Sequence, residues 1–395
     1  MRNIIGQAVS GSDFFDRPQV IKRIRRAIRN GNQVYLSAPR RVGKTSIMHH
    51  LSDNPEPGEH YVYAITQSVD SLDGFYKELA KQVIGSDAFG RLGRTGKTIK
   101  NGFTDLLQRI SLKVNVPMVG ELSLDKGTQT SIQTDFTTLL EELDLEGGKL
   151  IILVDEFTET LDNILIKHGK QEAKRFLQSF RELMHNRKLT GHVQFLLTGS
   201  IGLQPLVKKL EATDLINQLN IIDVPALTED EACHLFRQLV DQEDVTIDDE
   251  TVRYILRKID WLMPFHVQLL ALEVIDVHES AGSPIDQRKA DKAFDQVFHQ
   301  RNKIYFEQYY DRLKKRLELG PEYQFVHELL NRAANVPTLD KAIVHDLAVK
   351  HAFADQYKAT LESLLYDGYL HETADGSAYR FNSSILKTWW KKYVG

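Results

Sequence analysis

The chain has 395 residues, 42% hydrophobic and 26% charged, which is enough for two or three globular domains with buried cores. Its formal net charge of −4 gives no overall attraction to nucleic acid or anionic membranes, so such binding would need a local patch. One cysteine, no secretory-type N-terminus and no bilayer-length apolar segment exclude disulfide-rich, secreted and membrane-spanning classes, so we expect a cytoplasmic protein without a membrane partner.

The first two hundred residues alternate short apolar runs with helical patterns. The apolar runs predict buried strands at Gln33–Ser37, Tyr61–Ile65, Leu150–Val154 and Val193–Leu197, with Ile221–Val224 as a candidate fifth. Helices are predicted at Val20–Arg29, Thr45–Leu51, Leu72–Val83, Asp135–Leu143 and Gln171–Met184. Strands that alternate with helices predict an α/β fold with a mostly parallel sheet.

The first helix, residues 20–29, carries five cations around an apolar stripe. A run of this kind is usually a solvated helix face. The alternative is a patch that docks on nucleic acid, DNA included, or on a protein partner. The sequence alone leaves both interpretations open.

A phosphate-binding loop is predicted directly after the first strand. The segment fits the pattern G-x-x-x-x-G-K-[ST], with Ala38 where the first glycine usually stands. Gly43 lets the backbone approach the phosphates, Lys44 reaches the β- and γ-phosphates, and the Thr45 hydroxyl is a ligand for Mg²⁺. The residues of the loop are Ala38, Pro39, Arg40, Arg41, Val42, Gly43, Lys44, Thr45 and Ser46. ATP and Mg²⁺ are therefore the expected cofactors.

Residues 85–127 are harder to interpret. Glycines and lysines at Gly90–Lys100 suggest a mobile loop, and Val114–Leu124 suggests an additional hairpin. Neither feature carries a functional motif.

Polar side chains follow two later strands of the predicted sheet. Asp155 and Glu156 end the apolar run Leu150–Val154, and the carboxyl edge of a parallel sheet is where ligands bind. Asp155 is predicted to hold the magnesium and Glu156 to activate the attacking water. At the end of the next strand, Thr198 or Ser200 is positioned to bond the γ-phosphate or that water. The alternative for Ser200 is a simple helix cap.

After Pro225 the pattern becomes helical and then changes again. Helices are predicted at Glu229–Val240, Asp249–Ile259, Pro264–Val277 and Gln287–Arg301. The last ninety residues predict three short helices, a hairpin with an Asp-Gly turn at Asp375–Gly376, and a closing helix. The helices are predicted at Pro321–Arg332, Asp340–His351, Gln356–Tyr366 and Ile385–Tyr393. Three helices followed by a hairpin indicate a winged helix.

The whole chain resembles archaeal-type P-loop ATPases of the STAND and origin-recognition-like AAA+ clade. The segments that carry the resemblance are Phe14–Arg17, Ser37–Ser46, Val154–Phe157, Leu197–Ser200, Pro225–Ala232 and Trp261–His266. The resemblance implies a P-loop NTPase core at 1–224, a helical lid at 225–301 and a winged-helix domain at 302–395. It also implies that Arg17 and Pro264 belong to the nucleotide site, with the proline near the adenine.

Two departures from the family pattern matter for function. Asp16 and Leu262 stand where the family often has glycine, and no arginine lies between Ser200 and Val224, where ring-forming members commonly place an arginine finger. Arg181 and Arg187 are the remaining candidates for that role. A slow ATPase or a nucleotide-gated switch is therefore favoured over a fast ring-shaped motor.

The third helix of the predicted winged helix is poorly suited to DNA. It offers Lys358 against Glu362, and such a near-neutral helix binds phosphates weakly. Trp389 and Trp390 are expected to be packing residues. We therefore favour docking on protein, either the ATPase core or an unidentified partner, over DNA binding.

These observations leave three functional hypotheses. The first is a slowly hydrolysing regulatory ATPase whose lid and winged helix respond to ATP and ADP. The second is a DNA-binding initiator or loader, and the third is an adaptor that binds nucleotide without hydrolysing it.

Overall fold

The computed structural model describes residues 1–86, 89, 131–143, 145–317 and 320–395. The loop predicted at Gly90–Lys100 and the hairpin predicted at Val114–Leu124 lie outside these residues. The described chain forms two compact units. The core unit contains Arg17–Ser37 and Ile47–Asp223, and the second unit contains Met1–Asp16, Ala38–Ser46 and Val224–Gly395.

A parallel sheet forms the centre of the core unit. Its described strands are β1 (Gln33–Ser37), β2 (Glu59–Ile65), β3 (Lys149–Asp155), β4 (Val193–Thr198) and β5 (Leu219–Asp223), in the order β2-β3-β4-β1-β5. The predicted parallel sheet is confirmed, and the candidate fifth strand begins two residues earlier than expected. Strands β3 and β4 are almost entirely buried, since helices cover both faces of a parallel sheet.

Helices alternate with the strands of this sheet along the chain. In chain order they are α1 (Pro18–Arg29), α2 (Lys44–Asp53), α3 (Leu72–Gly85), α4 (Ile132–Glu142), α5 (Phe157–Met184) and α6 (Leu203–Leu210). Helix α5 contains a break at Gly169, whose φ of 83° only glycine adopts readily. The predicted helix 171–184 is thus the second half of a longer, interrupted element.

A cluster of phenylalanines fixes α3 and α5 against each other in the core unit. Phe75 contacts the rings of Phe157, Phe176 and Phe180 with ring centroids 5.9, 4.9 and 5.5 Å away. All four side chains are buried. Edge-to-face pairs of this kind add about 0.5–1.5 kcal/mol each beyond burial alone, so the helix that starts beside Glu156 is firmly anchored.

The second unit is mainly helical. After Val224 come α7 (Glu229–Val240), α8 (Asp249–Ile259), α9 (Pro264–Ala281), α10 (Gln287–Gln296) and α11 (Gln300–Leu317). Helix α7 starts with a capping box between Thr228 and Glu231, and α9 starts with Pro264 at its first turn. No described helix of either unit is long and apolar enough to cross a bilayer.

The predicted helix 287–301 is wrong at its C-terminal end. The chain leaves α10 after Gln296 and begins α11 at Gln300, which continues across the expected boundary at residue 302. Val297 and Phe298 are buried in the intervening turn, so the apolar pattern continues through a break in the helix. Periodicity alone does not separate two helices joined in this way.

The C-terminal segment consists of α12 (Pro321–Asn335), β6 (Leu339–Asp340), α13 (Lys341–Lys350), α14 (Tyr357–Tyr366), β7 (Leu370–Glu372), β8 (Ala378–Phe381) and α15 (Ser384–Tyr393). The strands form an antiparallel sheet in the order β6-β8-β7, and the predicted hairpin corresponds to β7 and β8. Trp389 and Trp390 are buried, which confirms that they are packing residues.

Candidate functional site

The predicted phosphate loop follows β1 and ends where α2 begins at Lys44. Within the loop, Arg41 has φ 66° and Gly43 has φ 99°, both in the left-handed region. A Cβ on Gly43 would meet no atom within 4 Å, so it is the backbone conformation that requires glycine. Successive turns of this kind direct backbone N–H groups to one side, which suits an anion.

Lys44 lies folded over its own loop. Its side chain is buried, and Nζ donates to the carbonyl oxygens of Ala38 at 2.7 Å and Pro39 at 2.9 Å. The next residue but one, Ser46, accepts a hydrogen bond from the Val9 amide at 3.1 Å. A phosphate bound by the loop would compete with those two carbonyl groups for the Lys44 ammonium.

Arg41 points into an aromatic cluster of the second unit. Its guanidinium carbon lies 4.0 Å from the centroid of the Phe265 ring, 5.6 Å from that of Tyr305 and 5.7 Å from that of Tyr309. One guanidinium N–H donates to Gln308 Oε1 at 3.2 Å. Burial lowers the pKa of Arg41 from its usual value, and the cation–π contacts compensate part of that desolvation. The loop is thereby held by α9 and α11.

The start of the loop also contacts the C-terminal segment. The Ala38 N–H donates to the Tyr366 hydroxyl at 3.2 Å. Two residues further on, Gly368 has φ 80°, and a Cβ there would overlap the Trp261 ring and lie 3.5 Å from Pro39. Glycine is therefore required both by the backbone conformation and by the close approach of Trp261.

In the core unit, Asp155 ends β3 as a buried carboxylate with two hydroxyl donors. Tyr63 donates to Oδ2 at 2.9 Å, and Thr198 donates to Oδ1. The backbone N–H of Glu156 also donates to Oδ1, at 3.1 Å. Burial and the adjacent Asp155 carboxylate raise the pKa of Tyr63, so this tyrosine stays a donor at neutral pH.

Glu156 follows in a left-handed conformation, with φ 61°, at the residue before α5. Its Oε2 accepts the Ser200 backbone N–H at 2.8 Å, and the Ser200 hydroxyl donates to Glu159 at 2.5 Å. The alternative interpretation of Ser200 as a helix cap is wrong, because α6 begins at Leu203 with Gly202 as its N-cap. A non-glycine residue at positive φ is uncommon and costs free energy, which the surrounding contacts must supply.

The turn between Thr198 and Ser200 depends on Gly199. A Cβ at Gly199 would overlap the Thr158 side chain on the first turn of α5. This close approach brings the end of β4 next to the start of α5. The amide of Ser200 therefore reaches the Glu156 carboxylate.

The structure thus brings four predicted site residues together in the core unit: Asp155, Glu156, Thr198 and Ser200. The loop residues lie in the second unit, where Arg41 contacts Phe265, the neighbour of Pro264. Arg17 is buried at the residue that precedes α1.

The donor set fits a magnesium ion that is held mainly by phosphates and water. No group of three or more His, Cys, Asp or Glu side chains with metal-ligand geometry occurs in the described part of the chain. Mg²⁺ prefers one or two carboxylates together with substrate phosphates and retained waters. Asp155, the buried carboxylate at the end of β3, is a ligand of the type that Mg²⁺ prefers.

Tyr63 was not predicted from the sequence, and it gives a direct test of the Asp155 carboxylate. We expect Tyr63→Phe to reduce ATP turnover about 10-fold, or to raise the Mg²⁺ concentration needed for half-maximal turnover by the same factor. Loss of a hydrogen-bond partner of a metal-binding carboxylate typically lowers metal affinity or activity to that extent. Tyr61→Phe is the matched control on the same strand, since its hydroxyl donates to Glu59 instead. Equal Mg²⁺ dependence in both variants would contradict this role for Tyr63.

Two of the contacts that the sequence did not predict join residues that are distant along the chain. Tyr63 and Asp155 are 92 residues apart, and Ala38 and Tyr366 are 328 residues apart. The tyrosines of β2 were the available signal for the first pair, since a buried Tyr hydroxyl usually needs a partner. No local pattern indicates the second.

No protein-family model matches the sequence, and no curated protein matches it. Among solved structures, the chain is similar to a Walker-type ATPase of Pyrococcus abyssi, with a TM-score of 0.63 and 17% identity over 98% of this chain and 99% of the other. It is also similar to the Aeropyrum pernix ORC2 protein in ADPNP and ADP complexes, with a TM-score of 0.56 and 12% identity over 97% and 94%. At these identities the likeness concerns the fold alone. Together with the parallel sheet of the core unit, it confirms the predicted α/β fold.

Proposed function

We propose that the protein is an ATP-binding, slowly hydrolysing ATPase that acts as a nucleotide-gated switch. The observation that carries this proposal is the engagement of the phosphate loop by the lid and the C-terminal segment. Ala38 donates to Tyr366, and Arg41 is enclosed by Phe265, Tyr305 and Tyr309. A ligand that rearranges the loop therefore changes contacts made by elements far along the chain.

The roles proposed for the site residues follow from their chemistry. The loop amides and Lys44 would bind the phosphates, and Thr45 and Asp155 would hold Mg²⁺, which neutralises charge on the phosphates. Glu156 would orient and activate the attacking water, because its carboxylate is fixed by the Ser200 amide. Thr198 positions Asp155 through its hydroxyl. Within the core unit, strands β1 and β3 end at the same edge of one parallel sheet, and open α/β sheets bind their ligands at that edge.

Lys44 and Tyr366 link nucleotide binding to the C-terminal segment. Phosphate would draw Lys44 away from the carbonyl groups of Ala38 and Pro39, which flank the contact with Tyr366. A ligand shifts a conformational equilibrium only by its difference in affinity for the two states. Phosphate and the two loop carbonyl groups compete for the Lys44 ammonium, so ATP binds more tightly to the state in which Lys44 has left those carbonyl groups.

Slow turnover is part of the proposal. The stretch between Ser200 and Val224 has no arginine, and an arginine finger is worth roughly 10³–10⁵ in rate where it is present. Of the two substitutes considered, Arg181 lies 3.8 Å from Asp214, and Arg187 is exposed. Activation by a partner that supplies an arginine is consistent with this arrangement.

We further propose that residues 225–301 are a lid and that residues 302–395 are a winged helix that docks on protein. The wing strand β8 is tied to the lid, since Arg380 donates to Asp260 at 2.8 Å and to His371 at 3.0 Å. Lys387 donates to the Val336 carbonyl at 2.6 Å. Because Arg380 and Lys387 already donate within the protein, they are less available to bind the phosphates of DNA. A cytoplasmic location and an unidentified protein partner belong to the same proposal.

A conservative change of Tyr366 tests whether nucleotide binding is coupled to the hydrogen bond between Ala38 and Tyr366. We expect Tyr366→Phe to raise ATP affinity about 2–10-fold, because a hydrogen bond of about 0.5–1.5 kcal/mol no longer opposes rearrangement of the loop. Tyr357→Phe, on the opposite end of α14, should leave ATP affinity unchanged. Titration with a fluorescent ATP analogue measures both. Unchanged or weaker ATP binding by Tyr366→Phe would show that the hydrogen bond does not oppose nucleotide binding.

A further inference from the structure

The four arginines of α1 fall into two groups with different surroundings. Arg25 donates to the Asn54 carbonyl at 2.6 Å and lies 3.5 Å from Glu56 and 3.9 Å from Glu59. Arg29 lies 3.3 Å from Glu56. These two arginines therefore neutralise carboxylates of the segment that leads into β2, which is a structural role.

The second group, Arg23 and Arg26, faces a cavity between α1 and the edge strand β5. The cavity has a volume of about 100 Å³. Its lining residues are Arg23, Arg26, Ala27, Asn30, Asn32, Asn220 and Ile222. None of these lining residues is acidic, and within the described ranges neither arginine forms an ion pair.

The backbone at the end of α1 leaves few acceptors in this region. The last carbonyl groups of the helix already accept hydrogen bonds from the residues that follow it. The carbonyls of Arg26, Ala27 and Ile28 accept from the amides of Asn30, Asn32 and Gly31, respectively, at 3.0–3.1 Å. The Asn32 carbonyl in turn accepts from Gln194 at 3.0 Å. The polar side chains that remain are two guanidinium groups and three carboxamides, all able to donate.

A cavity lined by two positive charges and three carboxamides that can donate, with no acidic side chain, is complementary to an oxyanion. Arginine binds phosphate through two parallel N–H donors, and carboxamide N–H groups complete such a shell. A volume of about 100 Å³ leaves room for one phosphate group. We infer that Arg23, Arg26 and the three asparagines form a binding site for a single phosphate group.

This site is separate from the proposed nucleotide site. It lies within the core unit and includes no residue of the phosphate loop. A phosphodiester of a nucleic-acid backbone and a free phosphate offer the same chemistry to it. A DNA backbone phosphate would bind at the edge of the core unit, beside β5. Arg23 and Arg26 of α1 would then be the residues that contact DNA.

The test uses the full chain in a Lys44→Ala background, so that the phosphate loop does not contribute to binding. Arg23→Gln combined with Arg26→Gln is compared with Lys22→Gln combined with Lys77→Gln, which removes the same charge from exposed positions outside the cavity. Binding of a labelled duplex DNA is followed by fluorescence anisotropy at several salt concentrations. Binding of inorganic phosphate is followed by calorimetry.

We expect the first pair to weaken binding of at least one probe about 10-fold, and the second pair to have a much smaller effect. If DNA is the source, the slope of log affinity against log salt should fall by about 0.9, because one backbone phosphate is no longer neutralised by the protein. If the first pair weakens the binding of inorganic phosphate alone, the ligand of the site is a free phosphate. Equal effects of the two pairs, or no binding of either probe, would overturn the inference. Thermal unfolding of both pairs checks that the fold is intact.

Discussion

Replacing Glu156 with glutamine is expected to reduce ATP turnover by about 100-fold or more while leaving ATP binding intact. The carboxamide oxygen can still accept the Ser200 amide, so the local structure at the start of α5 is retained. It cannot accept a proton, however, and a general base typically contributes about 10²–10⁴-fold to a rate. The measurement is phosphate release by purified protein, with ATP affinity determined in parallel.

A matched control and two informative outcomes accompany this variant. Glu172→Gln makes the same chemical change on the exposed face of α5 and should leave turnover unchanged. If Glu156→Gln behaves like wild type, or if wild type shows no turnover despite tight binding, the adaptor hypothesis is favoured. Strong stimulation of wild-type turnover by duplex DNA would instead favour the initiator or loader hypothesis.

Replacing Lys44 with alanine is expected to weaken ATP binding by about 100-fold or more. Hydrogen bonds from a charged donor are worth about 1.5–3 kcal/mol each, and 1.4 kcal/mol corresponds to a factor of ten. Two hydrogen bonds to phosphate therefore account for roughly 10²–10⁴-fold. Equilibrium titration with a fluorescent ATP analogue measures the decrease in affinity.

The same substitution also removes the two hydrogen bonds that Lys44 donates within its loop. Lys44→Gln separates the two effects, because its side chain can still donate to the Ala38 or Pro39 carbonyl but carries no charge. We expect Lys44→Gln to lose ATP affinity nearly as strongly as Lys44→Ala, with a smaller decrease in melting temperature. Wild-type ATP affinity in Lys44→Ala would contradict the proposed role of the loop.

The strands of the core unit and the residues at their ends were predictable because their signals are local. An apolar strand that ends in Asp155 and Glu156 is visible within a few residues, and so is the loop around Gly43. Parallel strands present their carboxyl ends at one edge, so the meeting of Asp155 with Thr198 follows from the predicted topology. The orientation of each side chain did not follow, and Ser200 supplies its backbone amide to Glu156.

The remaining features depend on packing between distant segments. The aromatic cluster around Arg41 combines residues of α9 and α11, and no short pattern connects them with the loop. Likewise, the separation of the α1 arginines into two groups depends on where Glu56 and Asn220 lie. Sequence periodicity identified the basic face of α1 but could not show which arginines are already paired.

Hydrogen exchange of residues 357–381 tests the proposed switch most directly. We expect the Glu156→Gln protein to hold ATP without consuming it, so its exchange can be compared with and without Mg-ATP. The Lys44→Ala protein is compared under the same conditions. We predict that Mg-ATP changes the protection of this segment in Glu156→Gln but not in Lys44→Ala. Identical exchange with and without bound Mg-ATP would mean that the C-terminal segment does not respond to nucleotide, and the proposal of a nucleotide-gated switch would be wrong.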